Sequence, residues 1–215
     1  MSLVICVMGE SGSGKTTAMR TLDPESTYYI DADGKGLSWK GWREQYNAER
    51  KNYWRGSDKE RVQQILAGID GKRPDIKTVV IDTINAIMVD DEMARAAEKG
   101  YDKWMDLAWA VYGMIVFANR MRDDITVIFV AHTQTERDEN TGERWTRIKT
   151  SGRKLDKISL DSKFTTVLNA RRINGEYVFE THSNNSTAKT PMGAFDEDTV
   201  PNDMAAVIER LNDYR

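Results

Sequence analysis

Cysteine, proline and histidine are scarce in this chain. A single cysteine among 215 residues, Cys6, excludes a disulfide framework and suits a reducing compartment, where Cys6 serves as core filler inside an apolar run. The four prolines, Pro24, Pro74, Pro191 and Pro201, fall at element boundaries rather than in a linker. No internal repeat or low-complexity tract interrupts the chain, so one domain is expected over residues 1–215. Long apolar runs are missing too: Leu3 to Met8 is too short for a signal segment or membrane span, and no longer one follows. A soluble cytoplasmic protein with no membrane partner is the expectation. Strong charge of one sign is also absent. A net charge of −3 and a pI near 5.6 give no overall basic footprint, so any nucleic-acid contact must come from a local patch.

What is present is an alternation of strand-length apolar runs with helical patterns. The runs are Leu3 to Met8, Thr27 to Asp31, Thr78 to Ile81, Ile125 to Ala131, Phe164 to Leu168 and Tyr177 to Thr181. Helices are predicted from Lys15 to Leu22, stopped before Pro24, and from Ser57, where SDKE reads as a capping box ahead of Val62, Ile65, Leu66 and Ile69. The longest covers Asp102 to Met121, with Trp104, Leu107, Ala108, Val111, Ile115 and Ala118 on one face. A last helix follows Pro201, capped by Asn202, with Val207, Ile208 and Leu211 turned inward. These patterns predict an α/β fold with a mostly parallel central sheet flanked by helices. The final two strands, joined through Asn174 and Gly175, should add an antiparallel hairpin at one edge.

Between the first strand and the first helix stands GESGSGKT, the P-loop pattern. Gly9, Gly12 and Gly14 let backbone N–H groups close around a phosphate tail, with Glu10, Ser11 and Ser13 between them. Lys15 supplies a point charge to the outer phosphates and Thr16 a hydroxyl for Mg²⁺, while Thr17 continues the helix N-terminus that favours an anion. ATP and Mg²⁺ are the expected cofactors. Asp82, at the end of the apolar VVID strand, is the expected Mg²⁺ acid, its alternative role being a helix N-cap. A water-activating acid is sought in YYIDADGKG: Asp33 is better placed than Asp31, and both could instead be turn acids before Gly34.

Together these segments resemble the RecA-type recombinase core. YIDAD (Tyr29 to Asp33) resembles the strand whose terminal acid is the family's catalytic base, which would give that role to Asp33. VVIDTINAI (Val79 to Ile87) resembles the magnesium strand, with Thr83 as the hydroxyl residue after the aspartate. TVIFVAHTQ (Thr126 to Gln134) resembles the strand that senses the γ-phosphate and leads into a DNA-binding loop. The family has a glutamine at that strand end. Here His132 stands there, with Gln134 two residues on, and either could be the sensor. The chain is most similar to the short phage-encoded RecA-like ATPases that anneal single strands. Their terminal hairpin, AKTP-like segment (here Ala188 to Pro191) and last helix are matched. A first strand beginning at residue 3 leaves no room for an N-terminal polymerisation element, so filament formation on the RecA pattern is not expected.

The resemblance implies an ATPase stimulated by single-stranded DNA, acting in recombination in the host cytoplasm, with a homo-oligomer and a single-strand DNA-binding protein as further partners. After the sensor strand, Arg144, Arg147, Lys149, Arg153, Lys154 and Lys157 against Asp156 give residues 144–157 a charge of +5 around Trp145. Basic groups that track phosphates beside an aromatic that stacks on bases would hold a single strand. A solvated hairpin, its first half balanced by acids, is the alternative. The aromatic and basic stretch from Trp39 to Arg55 is either a second strand surface or core packing. Lys189, Arg171 and Arg172 are candidates for a cation acting on a neighbouring subunit's site. Two other functions remain open at this point: a small-molecule or nucleotide kinase on the same cradle, and a nucleotide-gated assembly protein with little turnover.

Overall fold

The computed structural model describes residues 1–98, 102–137, 142–150 and 159–215. The chain runs β1 (Leu3–Gly9), α1 (Lys15–Ala18), β2 (Thr27–Asp31), α2 (Trp42–Gln45), β3 (Tyr53–Arg55), α3 (Lys59–Lys72), β4 (Thr78–Asp82) and α4 (Ile84–Ala94). It continues α5 (Asp102–Ala118), β5 (Thr126–Arg137), β6 (Arg144–Ile148), β7 (Thr166–Ile173), β8 (Glu176–Glu180), β9 (Thr199–Pro201) and α6 (Met204–Tyr214). The strands form one sheet in the order β3-β2-β4-β5-β1-β7-β8-β9, with β6 paired to the outer half of β5. Pairing is parallel from β3 through β7 and antiparallel for β7-β8-β9 and β5-β6. The fold is therefore the expected mixed α/β one, with a mostly parallel sheet and a C-terminal antiparallel hairpin.

Period-two alternation sorts the strand residues onto two apolar layers. On β1, Val4, Cys6 and Met8 face α3, α4 and α5, packing with Val62, Leu66, Ile87, Met88, Val111 and Ile115. Leu3, Ile5 and Val7 face the other way, against Ala18, Met19, Val207 and Leu211. Every residue of β1 is buried, which is why its sequence shows a continuous apolar run rather than alternation. Burial holds the Cys6 thiol far above its usual range, in keeping with core filler.

Several boundaries differ from the sequence expectation for local reasons. The helix after the P-loop is α-helical only to Ala18 and finishes as a 3₁₀ turn over Met19–Thr21, with Leu22 extended ahead of Pro24. The cap of α3 is Asp58, which accepts from Arg61 N at 2.6 Å, while Ser57 bonds Asp90 instead. Likewise Asp203, not Asn202, caps α6, accepting from Ala206 N at 3.1 Å. In both places an aspartate adjoins the expected cap and takes its role. β5 runs on to Arg137 because its polar half is paired by β6, and β7 begins at Thr166 rather than Phe164. The hairpin turn is as predicted, with Asn174 and Gly175 both at positive φ, 52° and 92°, as a primed two-residue turn requires.

The stretch from Trp39 to Arg55 packs. Trp39, Trp42, Tyr46 and Tyr53 join the second layer and Trp54 the first, and Tyr46 is fully buried in edge contacts with Tyr29 and Trp39. The segment also supplies β3 as an additional parallel strand. α5 is the expected long helix, ending at Ala118 rather than Met121, with Val111, Ile115 and Ala118 buried; the side chains of Trp104, Leu107 and Ala108 lie outside the described residues.

Candidate active site

β5 lies between β1 and β4, so the carboxyl ends of all three strands open into one crevice. The P-loop leaves β1 there, Asp82 ends β4, and His132 sits on β5 directly opposite Gly9. Two glycines show why this loop cannot carry side chains. A Cβ on Gly9 would lie 2.5 Å from Ser13 Oγ and 2.6 Å from the Ala170 carbonyl. Gly14 is left-handed, φ 94°, and its Cβ would lie 2.7 Å from the Tyr177 ring. As the N-cap of α1, Gly14 brings no side chain to the N–H groups of the first turn, which stay available to an anion. Ser13 Oγ is buried without a partner, and Lys15 turns back to donate to the Gly9 and Glu10 carbonyls at 2.8 and 2.7 Å. Burial lowers the Lys15 ammonium to about 8, opposed by the nearby Asp82 carboxylate. A cradle with an orphaned hydroxyl, free amides and an under-solvated cation fits a polyphosphate.

Thr16 Oγ1 donates to Asp82 Oδ2 at 2.7 Å, which sets a hydroxyl and a carboxylate oxygen side by side. Two hard oxygen donors beside a phosphate cradle fit Mg²⁺, which keeps most of its waters and takes few protein ligands. Asp82 is buried, and burial raises its pKa against the opposing bonds from Tyr29 and Thr16. The Tyr29 hydroxyl, wholly buried, donates to the same Oδ2 at 2.6 Å, an orienting contact that sequence reading missed. The Asp82–Thr83 peptide bond is cis. Thr83 then caps α4 and donates to Asp33 Oδ1 at 2.9 Å.

The two acids at the end of β2, Asp31 and Asp33, separate cleanly. Asp31 is buried and fully occupied, accepting from Gly34 N at 2.9 Å, Gly36 N at 2.8 Å and Tyr53 Oη at 2.7 Å, so it holds the DGKG turn. Asp33 is drawn to the end of β4 by its own backbone N–H, which donates to the Asp82 carbonyl at 3.1 Å. Its carboxylate accepts from Thr83 and from Lys35 Nζ at 2.8 Å; burial pushes its pKa up, but those two bonds outweigh it and leave the group below the usual carboxylate range.

His132 is half-buried, and burial, with Lys15 next, depresses its pKa, so the ring is neutral near pH 7. Gln134 lies farther out and bonds Glu136 at 3.0 Å. A second residue not anticipated is Asn85, on α4. Its Oδ1 accepts from His132 N and its Nδ2 donates to the Lys149 carbonyl, each at 2.7 Å, while Lys149 N donates to the His132 carbonyl at 2.7 Å. One buried amide thus joins the helix after β4, the middle of β5 and Lys149 within the basic segment.

The remaining candidates are dispersed by strand geometry. On β6, Arg144 and Thr146 face one side and Trp145 and Arg147 the other. Arg147 is paired with Glu136, its Nε 2.9 Å from Oε1. Trp145 and Lys149 are exposed. Arg153, Lys154 and Lys157 lie outside the described residues. Arg171 pairs with Glu180 at 2.5 Å, Arg172 lies over the Tyr177 ring, and Lys189 runs beside β7, bonded through its backbone to Val167. The C-terminal segment also touches the P-loop: Asn202 Nδ2 reaches the Gly14 carbonyl at 3.3 Å, and Arg20 on the following turn bonds the Asn202 carbonyl at 3.1 Å.

No helix among the described residues is long and apolar enough to cross a membrane. No curated protein matches the chain. A family model described as an AAA domain matches residues 1–192, so the chain belongs to that family and is a nucleotide-binding P-loop ATPase domain.

Proposed function

We propose that this AAA-domain protein hydrolyses Mg·ATP to control its grip on single-stranded DNA, which it binds and anneals during recombination. The observation that carries the reading is Asn85. It ties the end of the magnesium strand to His132 and to Lys149, within the basic segment, so a change at the nucleotide's outer phosphate and a change at a bound strand bias the same joint.

In hydrolysis, Lys15, the P-loop amides and Thr16 hold the phosphates, with Asp82 kept in position by Tyr29. Mg²⁺, when bound, neutralises charge developing on the phosphates. Asp33 is the acid beside that position and accepts a hydrogen bond from the attacking water. Because Thr83 and Lys35 hold it low, it orients the water first and takes the proton late. His132, neutral and opposite Gly9, senses the γ-phosphate through its ring.

A labelled oligonucleotide titrated at low salt, followed by annealing of complementary strands with and without ATP, tests the DNA half of the proposal. Binding and ATP-responsive annealing are expected. Absence of both, or phosphoryl transfer from ATP to a nucleoside monophosphate, would overturn it.

A further inference from the structure

A cavity of about 530 Å³ opens beside the P-loop tip. Its walls are Glu10 to Ser13, the β5-β6 hairpin, the end of β7 and residues 184–186; Lys15, Asp33 and Asp82 take no part in it. The β6 wall is pinned, since Thr146 exchanges backbone bonds of 2.8 and 2.9 Å with Asn185 and Thr187. Among the described residues the lining is polar and carries three arginines, Arg144, Arg171 and Arg172, against one acid, Glu10. Arg171 is already paired with Glu180, whereas Arg144 and Arg172 have no acidic partner among the described residues.

A space of this size admits a ligand as large as a nucleotide, and two arginines without an ion-pair partner among hydroxyls and amides favour one bearing negative charge. Among the described residues the wall offers no aromatic face on which a base could stack, because Trp145 projects from the opposite side of β6. A phosphodiester backbone meets these demands better than a free nucleotide, whose base would find no platform.

We infer that the cavity seats the backbone of a single nucleic-acid strand, with Arg144 from β6 and Arg172 from β7 on its phosphates and the P-loop rim as its wall. The inference rests on the strand-binding reading above and extends it to β7, giving Arg172 a role within its own subunit. A strand so placed touches Glu10 to Ser13, the backbone that also cradles ATP, which gives the two ligands a shared surface.

The test is the salt dependence of binding to a labelled oligothymidylate, by anisotropy without nucleotide, for wild type, Arg144→Ala, Arg172→Ala and the double variant. Losing one phosphate contact should flatten the slope of log K against log salt by about 0.7 for each arginine, and by about 1.4 for the pair. Arg43→Ala, on the Trp39 to Arg55 stretch, should leave the slope at the wild-type value. Thermal melting checks each fold; if Arg172→Ala fails because its contact with Tyr177 is lost, Arg144→Glu carries the test alone and should weaken binding further than Arg144→Ala. Unchanged slopes in a wild type that does bind, or a loss seen only with Arg43→Ala, would refute the cavity and leave strand binding standing. A wild type that binds no strand at all would instead refute the strand-binding reading itself.

Discussion

Replacing Tyr29 with phenylalanine removes one oxygen and leaves the ring in its contacts with Trp39 and Tyr46. That oxygen donates at 2.6 Å to Asp82 Oδ2 in a fully buried setting, so the variant leaves a buried carboxylate with Thr16 as its remaining donor. A hydrogen bond to a charged group contributes about 1.5–3 kcal/mol. For a domain of this length the loss corresponds to a fall in Tm of about 3–12 °C. Urea unfolding of wild type, Tyr29→Phe, Asp82→Asn and the double variant would isolate the term. In the Asp82→Asn background the effect of Tyr29→Phe should shrink to about 0.5–1.5 kcal/mol, the range for a neutral bond. It should shrink likewise as pH falls through the pKa of Asp82, because the bond favours the ionised form and a protonated Asp82 needs it less. An equal loss in both backgrounds would mean that Tyr29 acts by packing, and the orienting role would be wrong.

Asp33→Asn should lower the ATP hydrolysis rate by roughly 10²–10⁴ while ATP binding, measured by fluorescence, is kept; retained turnover would remove Asp33 from the role of base. Asn85→Ala leaves the His132 N–H without its acceptor and should reduce stability by about 1–3 kcal/mol in denaturant titration. The same variant should keep strand binding but lose most of the strand's effect on hydrolysis, and full retention of that effect would break the proposed linkage. Lys15 gives a pH signature. Its free-state pKa is lowered to about 8 and a bound triphosphate favours the charged form, so binding takes up a proton above that pH. Calorimetry without magnesium should therefore show ATP affinity level below pH 8 and falling by up to about tenfold per unit above it. A flat profile to pH 10 would contradict the assigned burial.

The strands and the P-loop were legible because each carries its own signal. β1, β4 and the inner half of β5 are continuous apolar runs, and the cradle's glycines stand at fixed offsets. The outer half of β5 was not legible, since Thr133 to Arg137 is polar and owes its extended form to pairing with β6. β3 was hidden in an aromatic-rich stretch whose tertiary packing decides its form. Both misassigned caps sit one residue from an aspartate, a difference set by backbone geometry rather than composition. Within the site, Asp82 and Asp33 could be proposed from strand ends, but Tyr29 and Asn85 could not. Their contacts cross 53 and 47 positions of chain and exist only once β2, β4 and β5 are in register. The β6 residues show the converse: a basic cluster on paper becomes two faces once period two separates Arg144 from Trp145 and Arg147.

The most direct measurement is the steady-state rate of ATP hydrolysis with magnesium, titrated with single-stranded DNA, for wild type and Lys15→Ala. The account predicts turnover by wild type that rises as the strand is added, and loss of both basal and stimulated turnover in the variant. Hydrolysis indifferent to the strand, or equal rates in the two proteins, would contradict it.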